Sequence, residues 1–340
     1  MNFLNGQRPS TLQQSELTAL VRALADAREH EGATDPNPPV GCALLDGRGE
    51  ILTVAAHRRA GEPHAEALAL AEATRLGLMH RVHTAVVTLE PCNHWGRTPA
   101  CASALLQAGV RRVVIAQPDP NPAVPGGGAS WLAAEGIDVA WLQDNTPSQL
   151  HAETARLIAP FAKRVTKGLP WVTIKQAITA GGSMIPPPGR KTFTSPDSLV
   201  FTHRLRRRAG AILTGSGTIL ADNPAFTVRL VDDHPGKRRH LVILDRRGRT
   251  PDSYMTEAAA RGFIPHRAAA MEDALRKLAA EGVNEVLVEA GPSLTTAILS
   301  SPLWDEHIII RQCANGEPDE VSTSFNPHSA EAASDVHRNN

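Results

Sequence analysis

The residues with the clearest chemistry in this chain are His64, Glu66, Cys92 and Cys101, set in His64-Ala65-Glu66, Pro91-Cys92 and, downstream, Cys101. One imidazole and two thiolates suit zinc. Three protein ligands leave the fourth tetrahedral position open to water, which marks a catalytic rather than a structural site. Zinc in such a site lowers the pKa of its water toward neutrality and makes a nucleophile available at physiological pH. Glu66 follows the histidine by two positions, so it enters the same site without binding the metal. It is placed to carry a proton from that water to a departing amine, the arrangement of zinc deaminases. The predicted reaction is hydrolytic removal of an amino group from a pyrimidine-like ring. Singly, a histidine ahead of an apolar helix is a cap or a surface group, and a cysteine is a small core residue. The joint pattern carries the argument. Cys42 and Cys313 have no comparable context and are read as ordinary small residues.

The spacing of the cysteines narrows the substrate. Nucleic-acid and nucleoside deaminases place two residues between the pair. Here Asn93 to Ala100 intervene, a loop that brings donors and a cation to the mouth of the metal site, as an anionic, highly substituted pyrimidine requires. His94, in that loop, is read as substrate-facing or structural rather than as a further ligand.

An alternating α/β pattern must position these groups. A helix is predicted over Ser15 to His30, a hairpin at Val40 to Leu45 and Ile51 to Ala55, and a helix over His64 to Leu76. A strand follows at Thr84 to Leu89, then a helix over Cys101 to Ala108 and a strand at Arg112 to Ala116. Pro118 to Gly128 can hold no regular structure. A last helix-strand pair covers Trp131 to Glu135 and Ile137 to Trp141. Asn145 to Lys167 is read as a helical bridge. Beyond Pro170 a second βα series has strands at Trp171 to Ala177, Ala211 to Thr214, Leu241 to Leu244 and Glu285 to Glu289. Helices are predicted over Pro196 to Arg208, Met271 to Ala280 and Ser293 to Leu299. No strand is expected between Thr250 and Arg267, and a loose tail is expected from about Ala314.

The chain has 340 residues, 42% of them hydrophobic, enough for two cores of ordinary domain size. Three segments are expected: residues 1–145, a linker over 146–169, and residues 170–340. Lys plus Arg and Asp plus Glu both number 35, so the positive excess of a nucleic-acid binder is missing. Arg204, Arg206, Arg207 and Arg208 form one basic cluster, suited to a phosphorylated small molecule or to a solvated helix face. No signal peptide and no membrane span are expected, and four cysteines fit a reducing cytoplasm.

Asp35-Pro36-Asn37-Pro38-Pro39-Val40-Gly41, Ala60-Gly61-Glu62-Pro63-His64-Ala65-Glu66, the run Thr88 to Cys101, and Asp119-Pro120-Asn121-Pro122 resemble the RibD family of bifunctional riboflavin-biosynthesis proteins. The resemblance covers nearly the whole first domain. It implies a cytidine-deaminase-like three-layer domain that acts on 2,5-diamino-6-(ribosylamino)pyrimidin-4-one 5′-phosphate. Zinc would be held by His64, Cys92 and Cys101, the proton relay would be Glu66, and Asn37 and His57 would line the pocket. Thr214 to Arg229 and Val288 to Ser293 resemble the family's second, dihydrofolate-reductase-like α/β domain. There the resemblance implies NADPH contacts at Thr218, Asp222, Gly291 and Ser293. It places the phosphorylated substrate on Arg206, Phe226, Arg229 and Glu289, with hydride transfer converting ribosyl to ribityl. A homo-oligomer is also implied. An alternative keeps the deaminase and makes the second domain a scaffold, because Thr179 to Gly182, Thr192 and Ala290 depart from the family pattern.

Overall fold

The computed structural model describes residues 11–93, 100–122, 127–142, 148–190, 192–313 and 317–327. It divides into two compact units, Met1–Thr166 and Lys167–Asn340.

The first unit is a sheet buried on both faces. Its strands are β1 (Gly41–Asp46), β2 (Ile51–Ala56), β3 (Val82–Val87), β4 (Arg112–Ile115) and β5 (Asp138–Trp141), in the order β2-β1-β3-β4-β5. The first two strands are antiparallel, as the intervening Asp46-Gly47 turn requires, and β3, β4 and β5 run parallel. Every residue of β1 is buried, and its alternation shows why. Ala43 and Leu45 meet Ala19, Leu20 and Ala23 of α1 (Gln14–Arg28). Cys42 and Leu44 meet Ala65, Ala69 and Ala73 of α2 (Ala65–Arg75) and Ala102 and Leu105 of α3 (Cys101–Gln107). Helix, sheet and helix form the three layers. Small side chains on α1 let it approach closely: a Cβ at Gly41 would lie 2.0 Å from the Ala23 carbonyl oxygen.

Two devices fix the layers. Glu16 closes a capping box at the start of α1, accepting from the Gln13 backbone N–H at 2.8 Å. The same buried carboxylate accepts from Arg112 Nε at 2.6 Å, and Arg112 also donates to Asp138, so α1, β4 and β5 are tied at one end. The second device is α5 (Ser148–Lys167). The helix expected as a bridge packs instead within the first unit: Leu157 joins Leu24, Ala27 and Ala56, and Thr154 Oγ1 accepts from Gln117 Nε2 at 2.9 Å. Its apolar stripe needs a partner, and α1 and β2 supply it.

The second unit has the sheet order β12-β11-β6-β10-β7-β8-β9. The strands are β6 (Trp171–Ile178), β7 (Ala211–Gly215), β8 (Arg239–Leu244), β9 (Phe263–Ala268), β10 (Glu285–Val288), β11 (Glu306–Arg311) and β12 (Glu320–Phe325). All neighbours are parallel except the pair β11 and β12. Alternation again loads both faces. Ala211, Leu213, Val286 and Val288 pack with α9 (Met271–Ala280) and α10 (Pro292–Leu299). Ile212, Leu241, Ile243 and Leu287 pack with α6 (Pro196–Arg208), α7 (Ser216–Asp222) and α8 (Asp252–Ala260).

Two expectations are corrected here. The stretch Thr250 to Arg267 holds α8 and most of β9, and the tail beyond Ala314 supplies β12. Both strands lie at sheet edges. β9 carries Pro265, whose missing N–H an edge tolerates, and every residue of β12 is exposed. Neither shows the alternating apolar signal of an inner strand.

Candidate active sites

The first site forms where three strand or helix ends meet. His64 is the N-cap of α2 and puts Glu66 in the first helical turn. Cys92 lies past the end of β3, and Cys101 is the first residue of α3. The turn before Cys92 is packed tightly: a Cβ at Gly128, the first residue of α4 (Gly128–Ala134), would stand 1.8 Å from the Pro91 carbonyl oxygen. Glu90 braces the same turn by accepting from the Ala129 N–H at 3.0 Å.

The three side chains converge. His64 Nδ1 lies 3.4 Å from Cys101 Sγ and 3.8 Å from Cys92 Sγ, and the three donor atoms all fall within 4.8 Å of one another. Ligands at the usual zinc distances and a tetrahedral angle stand roughly 3.6 Å apart for N and S. The donor set therefore fits a zinc ion without rearrangement. The Cys101 backbone N–H donates to Cys92 Sγ at 3.4 Å. The hydrogen bond from the Cys101 thiol holds Cys92 well below the usual thiol range, and the same sharing pushes the Cys101 thiol up.

Glu66 is buried and its Oε2 meets no hydrogen-bond partner. Burial lifts its carboxyl above the ordinary range. An orphaned buried oxygen beside a metal-ligand set is what a proton carrier between water and substrate looks like before either is bound. His57 packs against His64, the rings 5.3 Å apart edge to face. Its Nδ1–H donates to the Pro63 carbonyl at 3.1 Å, which fixes the tautomer, so Nε2 accepts from Asn37 Nδ2 at 3.3 Å. Burial lowers the His57 pKa, in keeping with a neutral ring. Arg164 of α5 donates to the Pro36 carbonyl at 2.7 Å and so steadies the Asn37 turn. Sequence reasoning missed that tether. The expectation for His94 lies outside the described residues.

In the second unit, neighbouring parallel strands β7 and β10 end in two small-residue turns that open α7 and α10. The Gly291 N–H donates to Thr218 Oγ1 at 3.0 Å and joins them. A Cβ at Gly217 would meet nothing within 4 Å, whereas one at Gly291 would sit 3.5 Å from Thr218 Oγ1. Exposed backbone beside glycine is a cradle that fits an extended phosphorylated cofactor. Asp222 closes α7 and Ser293 lies in the first turn of α10, both exposed and neither held by a side-chain hydrogen bond among the described residues.

Beside the cradle, Arg206 forms a two-point pair with Glu289 at 2.5 and 3.0 Å, donates to the Thr227 carbonyl at 3.2 Å and lies 5.9 Å over the Phe226 ring. Lys175 of β6 reaches the same carboxylate at 3.0 Å. The Arg229 N–H donates to His203 Nδ1 at 3.0 Å, while its side chain is exposed. Lys175 and His203 were missed; a lysine within the otherwise apolar start of β6 was the available signal. The arginine cluster divides. Arg206 faces this site, Arg208 neutralises buried Glu285 and Glu306 at 2.9 Å each, and Arg204 is exposed.

Comparison with known proteins agrees with both halves. Residues 13–117 match the cytidine and deoxycytidylate deaminase zinc-binding region, and residues 170–312 match the RibD C-terminal domain. The chain is 35% identical over 322 residues to the riboflavin biosynthesis protein RibD of Haemophilus influenzae, covering 85% of this chain and 84% of that one. It is 34% identical over 326 residues to RibD of Escherichia coli, with 85% of each covered. The chain belongs to the RibD family. A solved diaminohydroxyphosphoribosylaminopyrimidine deaminase/5-amino-6-(5-phosphoribosylamino)uracil reductase from Thermotoga maritima superposes with a TM-score of 0.77 at 30% identity, covering 89% of this chain and 88% of that one. As a RibD-family protein the chain is a bifunctional deaminase and reductase of riboflavin biosynthesis, with zinc and NADPH as cofactors. The scaffold alternative for the second unit is not favoured: residues 170–312 match the RibD C-terminal domain, and the sheet is complete to both edges with β9 and β12 present.

Proposed function

We propose that this RibD-family enzyme deaminates 2,5-diamino-6-(ribosylamino)pyrimidin-4-one 5′-phosphate in its first unit and reduces the ribosyl side chain of the product in its second. The observation that carries the first half is the unpartnered, buried Glu66 Oε2 next to three converging ligand atoms. His64, Cys92 and Cys101 hold the zinc, which when bound supplies the Lewis acidity that makes water nucleophilic at neutral pH. Glu66 accepts the proton of that water and returns it to the exocyclic nitrogen, so that ammonia rather than an amide ion departs. Asn37 and neutral His57 line the ring pocket and orient the pyrimidine.

In the second unit Thr218, Asp222, Gly291 and Ser293 hold NADPH, which supplies the hydride. Arg206, Phe226, Arg229 and Glu289 hold the sugar phosphate. The Glu289 pair uses one edge of the Arg206 guanidinium and the Thr227 carbonyl takes one Nη1–H, and the two N–H groups left suit a phosphate. Four free cysteines suit a reducing compartment, and we place the activity in the cytoplasm, in a homo-oligomer, on a small phosphorylated molecule rather than a nucleic acid. A coupled assay tests the reading. With the diaminopyrimidine phosphate alone, ammonia is released; with NADPH added, cofactor oxidation follows. Ammonia release from RNA or single-stranded DNA instead would overturn the substrate assignment, and NADPH that neither binds nor is consumed would overturn the second half.

A further inference from the structure

We propose that His203 is a positioning residue of the reductase site: it holds the main chain of Arg229, and so the sugar-phosphate contact that the proposed function gives to Arg229, on which reading this inference rests.

The segment that carries Arg229 lies outside the helices and strands, between α7 and β8. Asn223 and Phe226 take the left-handed conformation there, at φ 41° and 55°, the only non-glycine residues to do so among the described ones. Such conformations persist where their surroundings over-determine them, and ligand clamps are a common place. Tyr254 of α8 donates through its hydroxyl to the Pro224 carbonyl at 2.6 Å, and the Phe226 side chain lies in the core with Leu205 and Ile219. Beyond Phe226 the grip passes to α6. Arg206 donates to the Thr227 carbonyl at 3.2 Å, and the Arg229 N–H donates to His203 Nδ1 at 3.0 Å. His203 and Arg206 share one helix face at i and i+3, so a single turn of α6 takes a carbonyl and an N–H from alternate residues of the segment.

That turn therefore sets both sugar-phosphate arginines. Arg206 belongs to it, and Glu289 fixes its guanidinium. Arg229 is brought to it. Its side chain and Leu230 are exposed, and its main chain makes no other hydrogen bond among the described residues. Losing the His203 bond frees Arg229 and leaves Arg206 in place. The ring suits a fixed tether, because an imidazole that accepts at Nδ1 is neutral and carries its proton on Nε2. Burial, then the Arg206 and Arg229 cations, keep the buried ring neutral, with Lys175 adding to them and Glu289 opposing.

The test is steady-state NADPH oxidation by the full-length chain supplied with the deaminated intermediate. His203→Asn keeps an acceptor at the place of Nδ1, whereas His203→Gln carries its amide on to the place of Nε2. We expect His203→Gln to raise KM for the intermediate by about tenfold, the loss of one hydrogen bond that orients a charged group, with kcat and the KM for NADPH little changed. His203→Asn restores most of the loss. Arg229→Ala raises the same KM, and adding His203→Gln raises it no further, since residues acting through one contact are not additive. Equal KM values in His203→Asn and His203→Gln, or full additivity with Arg229→Ala, overturn the proposal and leave His203 a packing residue. An unchanged KM in Arg229→Ala instead overturns the assignment of Arg229 to the sugar phosphate. In the unsubstituted chain the Arg229 amide is expected to exchange with deuterium far more slowly than that of Leu230; equal rates refute the tether whatever the variants do.

Discussion

Among single side chains of the first unit, holding the metal and moving the proton fall to different residues. Glu66 is not one of the three converging ligands, so Glu66→Ala is expected to retain its zinc and lose deamination by several orders of magnitude. Cys92→Ser is expected to hold one zinc fewer, with a destabilised first unit. Metal analysis of the two variants side by side checks this, and equal zinc content contradicts the assignment. These four residues were legible because each lies in a short local pattern whose chemistry is stated by residue type. Lys175 and His203 were not. Lys175 has meaning only through Glu289, which the fold brings to it from β10, and His203 only through the backbone of Arg229. No local spacing encodes such pairs.

The strands and helices inside each unit were readable where apolar alternation loads both faces, as in β1, β7 and β10. The two edge strands of the second sheet failed that test: β9 carries Pro265, His266 and Arg267, and β12 is exposed throughout. Two buried groups of the second unit, His203 on α6 and Glu289 just past β10, carry a pH signature. Burial, then Arg206 and Arg229, lower the His203 pKa to about 4, against roughly 6.5 for an unfolded histidine. Burial opposes ionisation of Glu289, but the Lys175 and Arg206 cations outweigh it and hold the carboxyl down to about 2, against roughly 4.3 unfolded. Both folded values are depressed. The stability that each contributes is present above its unfolded value and lost as pH falls through its folded one. Urea unfolding of the second unit should therefore weaken from about pH 6.5 to 4 through His203, and from about 4.3 to 2 through Glu289. His203→Gln should flatten the upper limb and Glu289→Gln the lower. An unchanged slope in both variants refutes the assignment.

Across the whole molecule, each unit carries its own core and all of the residues assigned to its own reaction. Cys92→Ser, supplied with the deaminated intermediate, is accordingly expected to oxidise NADPH at close to the wild-type rate while releasing no ammonia from the diaminopyrimidine; a parallel loss of both activities contradicts this. The boundary between the units was the least legible feature at this scale, since a long amphipathic helix between two βα series looks the same whether it bridges or packs. Its apolar stripe is answered by Leu24, Ala27 and Ala56, and its last turn holds Pro36 through Arg164. Anyone cutting the gene to obtain the hydrolase alone must therefore carry the scissors past that final turn. A piece stopped at residue 145 leaves an oily strip wet and the pyrimidine's seat unmoored, and is expected to precipitate or to bind substrate poorly. One stopped at residue 167 is expected to stay dissolved with its zinc in place, as gel filtration and metal content would report.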